Sequence, residues 1–206
     1  MTALATLLGF DVSRETTSRL EAYAALISRW TRAINLVSPS TVGDIWRRHI
    51  VDSAQLFPLI PKEANHLVDL GSGAGLPGLA LAILAKDYLP ELKVTLVESD
   101  GRKATFMRTA LRETQTAAQV LTARIESLPP LRADVVTSRA LAPLNRLVPL
   151  ATAHLVPGGR MIFLKGANWQ SEWDQLDPPI AIQAIPSRTS AESMILILQP
   201  GPEALT

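Results

Sequence analysis

The chain contains no cysteine among its 206 residues. This composition excludes disulfide bonds, zinc sites built on thiolates and cysteine nucleophiles within the chain. Histidine is nearly as scarce, because only His49, His66 and His154 occur, scattered along the sequence. Neither H-E-x-x-H nor G-x-S-x-G is present, so we expect no metal site and no paired nucleophile and base.

Long apolar runs are also missing. The longest, residues 76–85, falls well short of the roughly 20 residues that a membrane-spanning helix needs. The first fifteen residues, MTALATLLGFDVSRE, lack the basic segment and the long apolar segment of a secretory signal. These features, together with the lack of cysteine, predict a soluble cytoplasmic protein without membrane association.

Apolar residues make up 47% of the chain, which is enough for the core of one α/β domain. The net charge is only +1, but the charges are unevenly distributed. Residues 14–48 carry six arginines against three acids, residues 101–146 eight basic residues against three acids, and residues 166–206 one arginine against five acids. Such asymmetry is typical of an anion-binding face, although solvated helix surfaces give similar counts. Charge alone therefore leaves nucleic-acid binding open.

Two helices are predicted in the first third of the chain. Apolar residues recur every three or four positions over residues 16–36, which predicts an amphipathic helix with its N-cap within residues 16–18. A second helix is predicted over residues 42–57, where a proline follows. We expect residues 1–62 to form a helical extension that packs with the rest of the chain, residues 63–206, as a single domain.

From residue 66 onward, short apolar runs alternate with helical patterns. Strands are predicted at residues 66–70, 93–98, 118–123, 133–138 and 160–165, and helices at 78–87, 101–114 and 143–155. This alternation implies a parallel sheet covered by helices on both faces. Two further runs, 180–185 and 193–199, have no helix between them and predict an antiparallel C-terminal hairpin. The predicted fold class is α/β, a doubly wound, Rossmann-like sheet of seven strands, as in S-adenosylmethionine-dependent methyltransferases.

The segment HLVDLGSGAGLPG, residues 66–78, contains four glycines after the first predicted strand. Glycine suits such a loop because a tight strand-to-helix turn needs unusual backbone angles and a ligand must approach the main chain. The last three glycines match G-x-G-x-x-G, the dinucleotide fingerprint, whereas Gly71 and Gly73 form the turn in the alternative register. Pro77 favours the alternative, because it places the helix start at 76–78 and the fingerprint register would push glycines into the helix.

An acid before the loop bears on which cofactor is bound. Asp69 would repel the two negative charges of a pyrophosphate, whereas S-adenosylmethionine presents a cationic sulfonium and ammonium. Glu98, at the end of the second strand, would accept hydrogen bonds from ribose hydroxyls. The sequence therefore favours S-adenosylmethionine over NAD, with Asp69, Gly71, Gly73, Leu76 and Glu98 as contacts and S-adenosylhomocysteine as product. The alternative role of Asp69 is to cap the loop.

Several segments together resemble one known family. They are RHIVDS (48–53), LVDLGSGAGLPG (67–78), ESDGRKATFMR (98–108), SRALAPL (138–144) and LKG (164–166). In this order and spacing they resemble the bacterial 16S ribosomal RNA guanine-N7 methyltransferases, also called glucose-inhibited division protein B. The resemblance covers nearly the whole chain, including RWTRAINLVS at residues 29–38. The glycine loop is generic among methyltransferases, whereas the RHIVDS and SRALA segments are specific.

The resemblance implies that a methyl group passes from S-adenosylmethionine to N7 of one guanine in 16S ribosomal RNA. Guanine N7 already carries a lone pair, so no general base is required and catalysis is chiefly alignment. The chain departs from the family pattern at position 76, a leucine where many members have an aromatic residue, and at Asp100-Gly101, which interrupt the usual helix start.

The resemblance also implies roles for individual residues. Arg139 belongs to the cofactor pocket, where its planar fork suits the methionine carboxylate, and Ile125 and Glu126 contact the adenine. Without the resemblance, Arg139 and Glu126 would be an ordinary surface arginine and an ordinary loop acid. His49 and Asp52 share one face of the second predicted helix, where they either shape the pocket or only fix helix packing.

Cations around this pocket are expected to contact RNA. Lys165 is predicted to touch phosphate and, with Arg139, to position the substrate. The remaining candidates are Arg29, Arg32, Arg47, Arg48, Arg102, Lys103 and Arg108. Trp169 and Trp173 either stack on bases or pack against the fold. Asn35 is either a helix C-cap or a pocket residue.

Three other functions compete with this interpretation. A methyltransferase acting on a small molecule or a protein would show no dependence on RNA. A nicotinamide-dependent oxidoreductase would bind NAD(P)H and ignore S-adenosylmethionine. A non-catalytic RNA-binding module would need a damaged cofactor loop, and this loop is intact. We expect a monomeric enzyme whose partner is 16S ribosomal RNA or the small ribosomal subunit.

Overall fold

The computed structural model describes residues 3–176 and 180–201. The ends of the two predicted domains, residues 1–2 and 202–206, lie outside this described part, as do two of the five acids counted in residues 166–206, Asp177 and Glu203. The helices are α1 (Ala3–Leu8), α2 (Arg14–Thr31), α3 (Asp52–Ala54), α4 (Gly78–Tyr88), α5 (Gly101–Glu113), α6 (Leu144–Thr152) and α7 (Trp169–Trp173). The strands are β1 (His66–Leu70), β2 (Lys93–Glu98), β3 (Gln119–Thr122), β4 (Ala133–Arg139), β5 (Leu155–Lys165), β6 (Ile182–Pro186) and β7 (Met194–Leu198). No helix among the described residues is long and apolar enough to cross a membrane.

The seven strands form one sheet in the order β3-β2-β1-β4-β5-β7-β6. The first five strands pair in parallel, and β7 pairs antiparallel with both β5 and β6. The predicted fold class, including the C-terminal hairpin, is therefore confirmed. The strand order reverses between β1 and β4, and ligands of such sheets bind outside the carboxyl ends of the strands at this reversal.

Two hydrophobic clusters cover the two faces of the sheet. Successive residues of a strand point to opposite faces, so Leu67 belongs to the first cluster and Val68 to the second. The first cluster also contains apolar residues of α1, α2, α4 and α5, so the helices that precede β1 pack on the same face. Tyr23 of α2 donates its hydroxyl to the carbonyl of Ala74 at 2.5 Å and so ties this helix to the glycine loop.

The long N-terminal helix differs from its prediction at both ends. It begins after Ser13, whose Oγ accepts a hydrogen bond from the N–H three residues later at 3.0 Å, so the predicted N-cap within residues 16–18 was wrong. It ends five residues earlier than predicted, because the N–H groups of residues 32–34 all turn back to the carbonyl of Trp30. Asn35 lies exposed beyond this end and is not its C-cap.

The second predicted helix is not one continuous α-helix, and that prediction was wrong. A 3₁₀ turn (Pro39–Asp44), a π turn (Trp46–Val51), the short α3 and a second 3₁₀ turn (Phe57–Leu59) follow one another. In the π turn, the N–H of Asp52 bonds to the carbonyl of Arg47, five residues back. The predicted common face is nevertheless confirmed, because Ile45, His49, Asp52 and Leu56 are all buried. π turns frequently lie at functional sites.

Two details of the α/β part also differ from expectation. Asp100 and Gly101 begin α5 rather than interrupting its start: Oδ1 of Asp100 accepts hydrogen bonds from the N–H groups of Arg102 (2.8 Å) and Lys103 (3.3 Å). The last parallel strand, β5, begins at Leu155, five residues before its predicted start.

Candidate active site

The loop between β1 and α4 depends on its glycines. Gly71, Gly73 and Gly75 have φ angles of +66°, +57° and +83°, a left-handed conformation that other residues adopt only at a cost. A Cβ on Gly71 would lie 2.4 Å from Cδ1 of Leu141, so the loops that follow β1 and β4 touch here. A Cβ on Gly73 would meet only a backbone oxygen at 3.9 Å. The main chain at Gly73 is therefore open to a ligand.

The fourth glycine permits close packing of helix against strand. Gly78 is the first residue of α4, and a Cβ there would lie 2.5 Å from Cβ of Asp69 and 2.4 Å from Cδ2 of Leu96. The predicted helix start is confirmed. The G-x-G-x-x-G register was rejected because it would push its glycines into the helix. That reason was wrong, because Gly73 and Gly75 precede the helix and only Gly78 lies in it.

Asp69 lies beneath this loop and is completely buried. Its Oδ2 accepts a hydrogen bond from the N–H of Gly78 at 3.1 Å, and its Oδ1 accepts one from the hydroxyl of Thr137 at 2.8 Å. Burial raises the pKa of Asp69 to about 6, against the lowering effect of these hydrogen bonds. The carboxylate thus holds the loop and the helix start, as the capping alternative describes. Its direct contact with a cofactor stays a prediction.

Glu98 holds the other side of the loop. Its Oε2 accepts a hydrogen bond from the N–H of Gly73 and its Oε1 one from the N–H of Asp100, each at 2.8 Å. A pyrophosphate at the start of a helix binds to such N–H groups. In this loop two of them, on Gly73 and Gly78, already bond to carboxylates. Because these two N–H groups are already bonded to carboxylates, the loop disfavours a dinucleotide and suits a ligand with cationic groups.

A cleft of about 420 Å³, here called the cofactor cleft, opens over the carboxyl ends of β1 to β4. Its size is typical of ligand sites. Six of the predicted cofactor contacts line it together, namely Gly71, Gly73, Glu98, Ile125, Glu126 and Arg139. Leu76 does not, because its side chain is buried in the first hydrophobic cluster and only 3% exposed. Lys103, one of the predicted RNA contacts, is half-buried and lines this cleft.

A second space of about 410 Å³, here called the adjacent cavity, lies over the ends of β4 and β5. Its walls include Thr41, Arg48, His49, Asp52, Arg139, Ala140, Leu164, Lys165, Gly166, Ala167, Asn168, Glu172 and Ser193. Arg139 and Ala140 belong to the walls of both spaces. The two spaces therefore meet where β4 ends.

Arg139 is held at this junction by the π turn. Its Nη2 donates to Nδ1 of His49 at 2.8 Å, and its Nη1 donates to Oδ2 of Asp52 (3.4 Å) and to the carbonyl of Arg48 (3.3 Å). Burial, with the charges of Arg139 and Arg48, lowers the pKa of His49 to about 4. The neutral ring therefore accepts at Nδ1 and donates from Nε2 to the hydroxyl of Thr41 at 2.7 Å.

Asp52 connects this arginine to the hairpin at the far end of the chain. Its Oδ1 accepts hydrogen bonds from Nε2 of Gln55 (2.9 Å), from the hydroxyl of Ser187 (3.3 Å) and from the hydroxyl of Thr189. None of these three donors was predicted from the sequence. Ser187 and Thr189 are more than 130 residues away along the chain, and no local pattern indicates such a contact.

Lys165 is not the surface cation that was expected. Its side chain is only 8% exposed, and its Nζ donates to Oε2 of Glu172 at 2.6 Å and to the carbonyl of Ala142 at 3.0 Å. Contact with a phosphate would require breaking this ion pair. Glu172 was missed because its role depends on the fold around α7. Trp169 and Trp173 pack against the second hydrophobic cluster, as the packing alternative proposed.

The other predicted RNA contacts are spread over the surface. Arg29, Arg32, Arg47, Arg48, Arg102 and Arg108 are exposed. Arg48 lines the adjacent cavity, whereas Arg29, Arg32 and Asn35 line neither space. Arg108 donates to the carbonyl of Val120 and to the hydroxyl of Thr122. The structure therefore brings only part of this set close to the site.

The sheet order, the glycine loop held by two acids and the cleft at the strand reversal define the class of Rossmann-like methyltransferases, whose methyl donor is S-adenosylmethionine. Solved structures agree on the fold. A SAM-dependent methyltransferase from Aquifex aeolicus aligns with a TM-score of 0.59 at 14% identity, covering 82% of this chain and 96% of its own. A methyltransferase from Pyrococcus furiosus aligns with a TM-score of 0.58 at 15% identity, covering 88% and 98%.

Sequence comparison narrows the class to one family. Residues 16–193 match the family model described as rRNA small subunit methyltransferase G, and the chain belongs to that family. A ribosomal RNA small subunit methyltransferase G from Cereibacter sphaeroides is 47% identical over 196 residues, 92% of this chain and 93% of that protein. One from Paramagnetospirillum magneticum is 49% identical over 195 residues, 91% and 90% of the two chains.

Proposed function

We propose that this methyltransferase transfers the methyl group of S-adenosylmethionine to N7 of one guanine in the 16S RNA of the small ribosomal subunit. One observation carries the proposal: the cofactor cleft and the adjacent cavity meet at Arg139 and Ala140. A base in the adjacent cavity would therefore face a methyl donor in the cofactor cleft. The family membership supports an RNA substrate.

The cleft residues fit the cofactor group by group. In this proposal the open main chain at Gly73 permits close approach, Glu98 accepts hydrogen bonds from the ribose hydroxyls, and Ile125 and Glu126 contact the adenine; the support is that all four residues line the cofactor cleft. The guanidinium of Arg139 has five N–H groups, and it makes three hydrogen bonds to the π turn and to Asp52 at the start of α3, so other N–H groups remain for the methionine carboxylate. When bound, S-adenosylmethionine supplies an electrophilic methyl carbon.

The walls of the adjacent cavity orient groups rather than remove a proton. The lone pair of guanine N7 forms the new bond to carbon as the carbon–sulfur bond breaks, and the electron pair of that bond stays on sulfur. His49 is a weak base, with a pKa of about 4 and an Nδ1 that accepts from Arg139. The carboxylate of Asp52 accepts from four side chains. Both therefore serve to position Arg139.

A methyl-transfer assay tests this function. Purified protein is incubated with labelled S-adenosylmethionine and small subunits from cells that lack the gene, and N7-methylguanine is mapped by reduction and strand cleavage. A single new cleavage site in 16S RNA is expected. Labelling of proteins or small molecules without RNA would favour the competing substrate classes, and binding of NAD(P)H without binding of S-adenosylmethionine would favour an oxidoreductase.

The arginines of the π turn are expected to contribute phosphate contacts. Arg47 and Arg48 are exposed, and Arg48 borders the adjacent cavity. Replacing both with glutamine should reduce the slope of log affinity against log salt for RNA by about 1.5, since each phosphate contact contributes roughly 0.7 to 0.9. Replacing Arg112 and Arg132, which are exposed and line neither space, is the matched control. An equal slope in both double variants would remove the π turn from the RNA surface.

A further inference from the structure

The adjacent cavity has two chemically different walls. Arg139 pairs with Leu164 in the register of β4 and β5, so the next residue, Lys165, points to the opposite face of the sheet. One wall therefore carries Arg139 with His49, and the other carries Lys165 with Glu172. The proposed function uses the first wall and assigns nothing to the second.

The carboxylate of Glu172 has unused acceptor capacity. Its Oε2 accepts from Nζ of Lys165 (2.6 Å) and from the N–H of Leu144 (3.0 Å), while Oε1 has no hydrogen-bond partner among residues 3–176 and 180–201. The side chain is 22% exposed and lines the cavity. A half-buried, fixed carboxylate with a free oxygen is a strong acceptor for adjacent N–H donors.

We propose that Glu172 determines base specificity by accepting hydrogen bonds from N1–H and the 2-amino group of the target guanine, with Lys165 holding the carboxylate in place. This inference rests on the proposed function. Guanine presents these two donors side by side, whereas adenine has a lone pair at N1 and no donor at C2. Because N7 lies on the opposite side of the purine, it then faces the Arg139 wall and the cofactor cleft.

The test compares guanosine with inosine, which lacks the 2-amino group, at the mapped target position of the RNA. For the wild-type protein we expect kcat/KM to be about 10- to 100-fold higher for guanosine, as for loss of a hydrogen bond to a charged acceptor. In Glu172→Gln the amide oxygen stays with Lys165 and Leu144, so its NH₂ replaces Oε1 and opposes the guanine donors. The guanosine-to-inosine ratio should therefore fall to about 1.

The guanosine-to-inosine ratio of kcat/KM distinguishes base recognition by Glu172 from a purely structural role of this residue. A purely structural role of Glu172 would lower both rates equally and leave the ratio unchanged, which would overturn the inference. Glu126→Gln, an acid replaced in the cofactor cleft, is the matched control and should keep the wild-type ratio. Glu172→Asp, which retains the charge beside Lys165 but withdraws the free oxygen, should also reduce the ratio, and it serves if the glutamine variant does not fold.

A binding measurement makes the test independent of turnover. In the presence of S-adenosylhomocysteine, the wild-type protein should bind the guanosine RNA about 10-fold more tightly than the inosine RNA. Glu172→Gln should bind the two RNAs equally, and a retained preference would contradict the inference. Failure of the wild-type protein to methylate guanosine RNA at N7 would instead contradict the proposed function.

Discussion

Replacing Arg139 with alanine is expected to lower kcat/KM for methyl transfer by about 100-fold or more while leaving the protein folded. The side chain stands between the cofactor cleft and the adjacent cavity and connects the π turn to the end of β4. In the proposed function its loss removes the donor for the methionine carboxylate and the group that aligns the two spaces, and small misalignments cost large factors in rate. The measurements are single-turnover methyl transfer and calorimetric titration with S-adenosylmethionine.

The stability cost of this replacement should be moderate. Breaking a buried ion pair costs about 3–5 kcal/mol, but Asp52 keeps three other donors and the Arg139 side chain is 19% exposed, so we expect about 1–3 kcal/mol. Arg139→Lys should be nearly as inactive, because one ammonium does not satisfy the three acceptors on Arg48, His49 and Asp52. Arg112→Ala, with a side chain 73% exposed, is the control. Activity within threefold of wild type in Arg139→Ala would remove this residue from the site.

Replacing Asp69 with asparagine is expected to weaken binding of S-adenosylmethionine by about 10- to 100-fold without destabilising the fold. The negative charge beneath the loop attracts a cationic ligand across a poorly solvated region, where such an interaction amounts to a few kcal/mol. Asparagine keeps both hydrogen bonds, because its oxygen accepts from the N–H of Gly78 and its amide donates to the hydroxyl of Thr137. Alanine is a poorer test, because it would leave both groups without a partner.

The product provides the matched ligand for this variant. S-adenosylhomocysteine lacks the sulfonium charge, so its affinity for Asp69→Asn should fall less than that of S-adenosylmethionine. Calorimetric titration of both ligands measures the difference. Equal losses would show that the charge of Asp69 does not act on the sulfonium, and unchanged affinity for both would leave it the capping role alone.

The raised pKa of Asp69 also predicts a dependence of stability on pH. Because the pKa rises from 3.8 to about 6 on folding, the folded state holds the proton more tightly, and the contribution to stability is lost as pH rises through 6. Between pH 5 and pH 8 this group should lower the free energy of unfolding by about 1.4 kcal/mol. Affinity for S-adenosylmethionine should change in the opposite sense and decrease as pH falls below 6.

Asp69→Asn should lack both effects, and urea unfolding with ligand titration at pH 5 and pH 8 checks this. His49 contributes in the opposite sense over this range, because its pKa falls from 6.5 to about 4 on folding and the unfolded chain therefore takes up its proton first as pH falls. Both proteins carry His49, so the difference between wild type and Asp69→Asn isolates the contribution of Asp69. If the asparagine variant shows the same pH dependence as the wild-type protein, another group must be responsible.

The order and type of the sheet elements were predictable from the sequence, because apolar periodicity is a local property. β1 and β2 have the predicted bounds, and the helix after the glycine loop begins where Pro77 placed it. The residues before β1 were predicted less well. Over residues 42–57, 3₁₀ and π turns bury the same side chains that a continuous helix would bury. Apolar periodicity therefore does not distinguish these turns from a continuous helix.

The cofactor side of the site was also largely predictable, because the glycines and acids follow directly after strands whose carboxyl ends meet at one edge. By itself, the sequence determined the fold class, the family and most of the cofactor cleft. Only the tertiary structure decided that Asp52 joins Arg139 to the hairpin, that Lys165 is buried against Glu172, and that these groups form a second space beside the first. The physical reason is that these contacts join residues distant along the chain, and their geometry exists only once the sheet and its covering segments have packed.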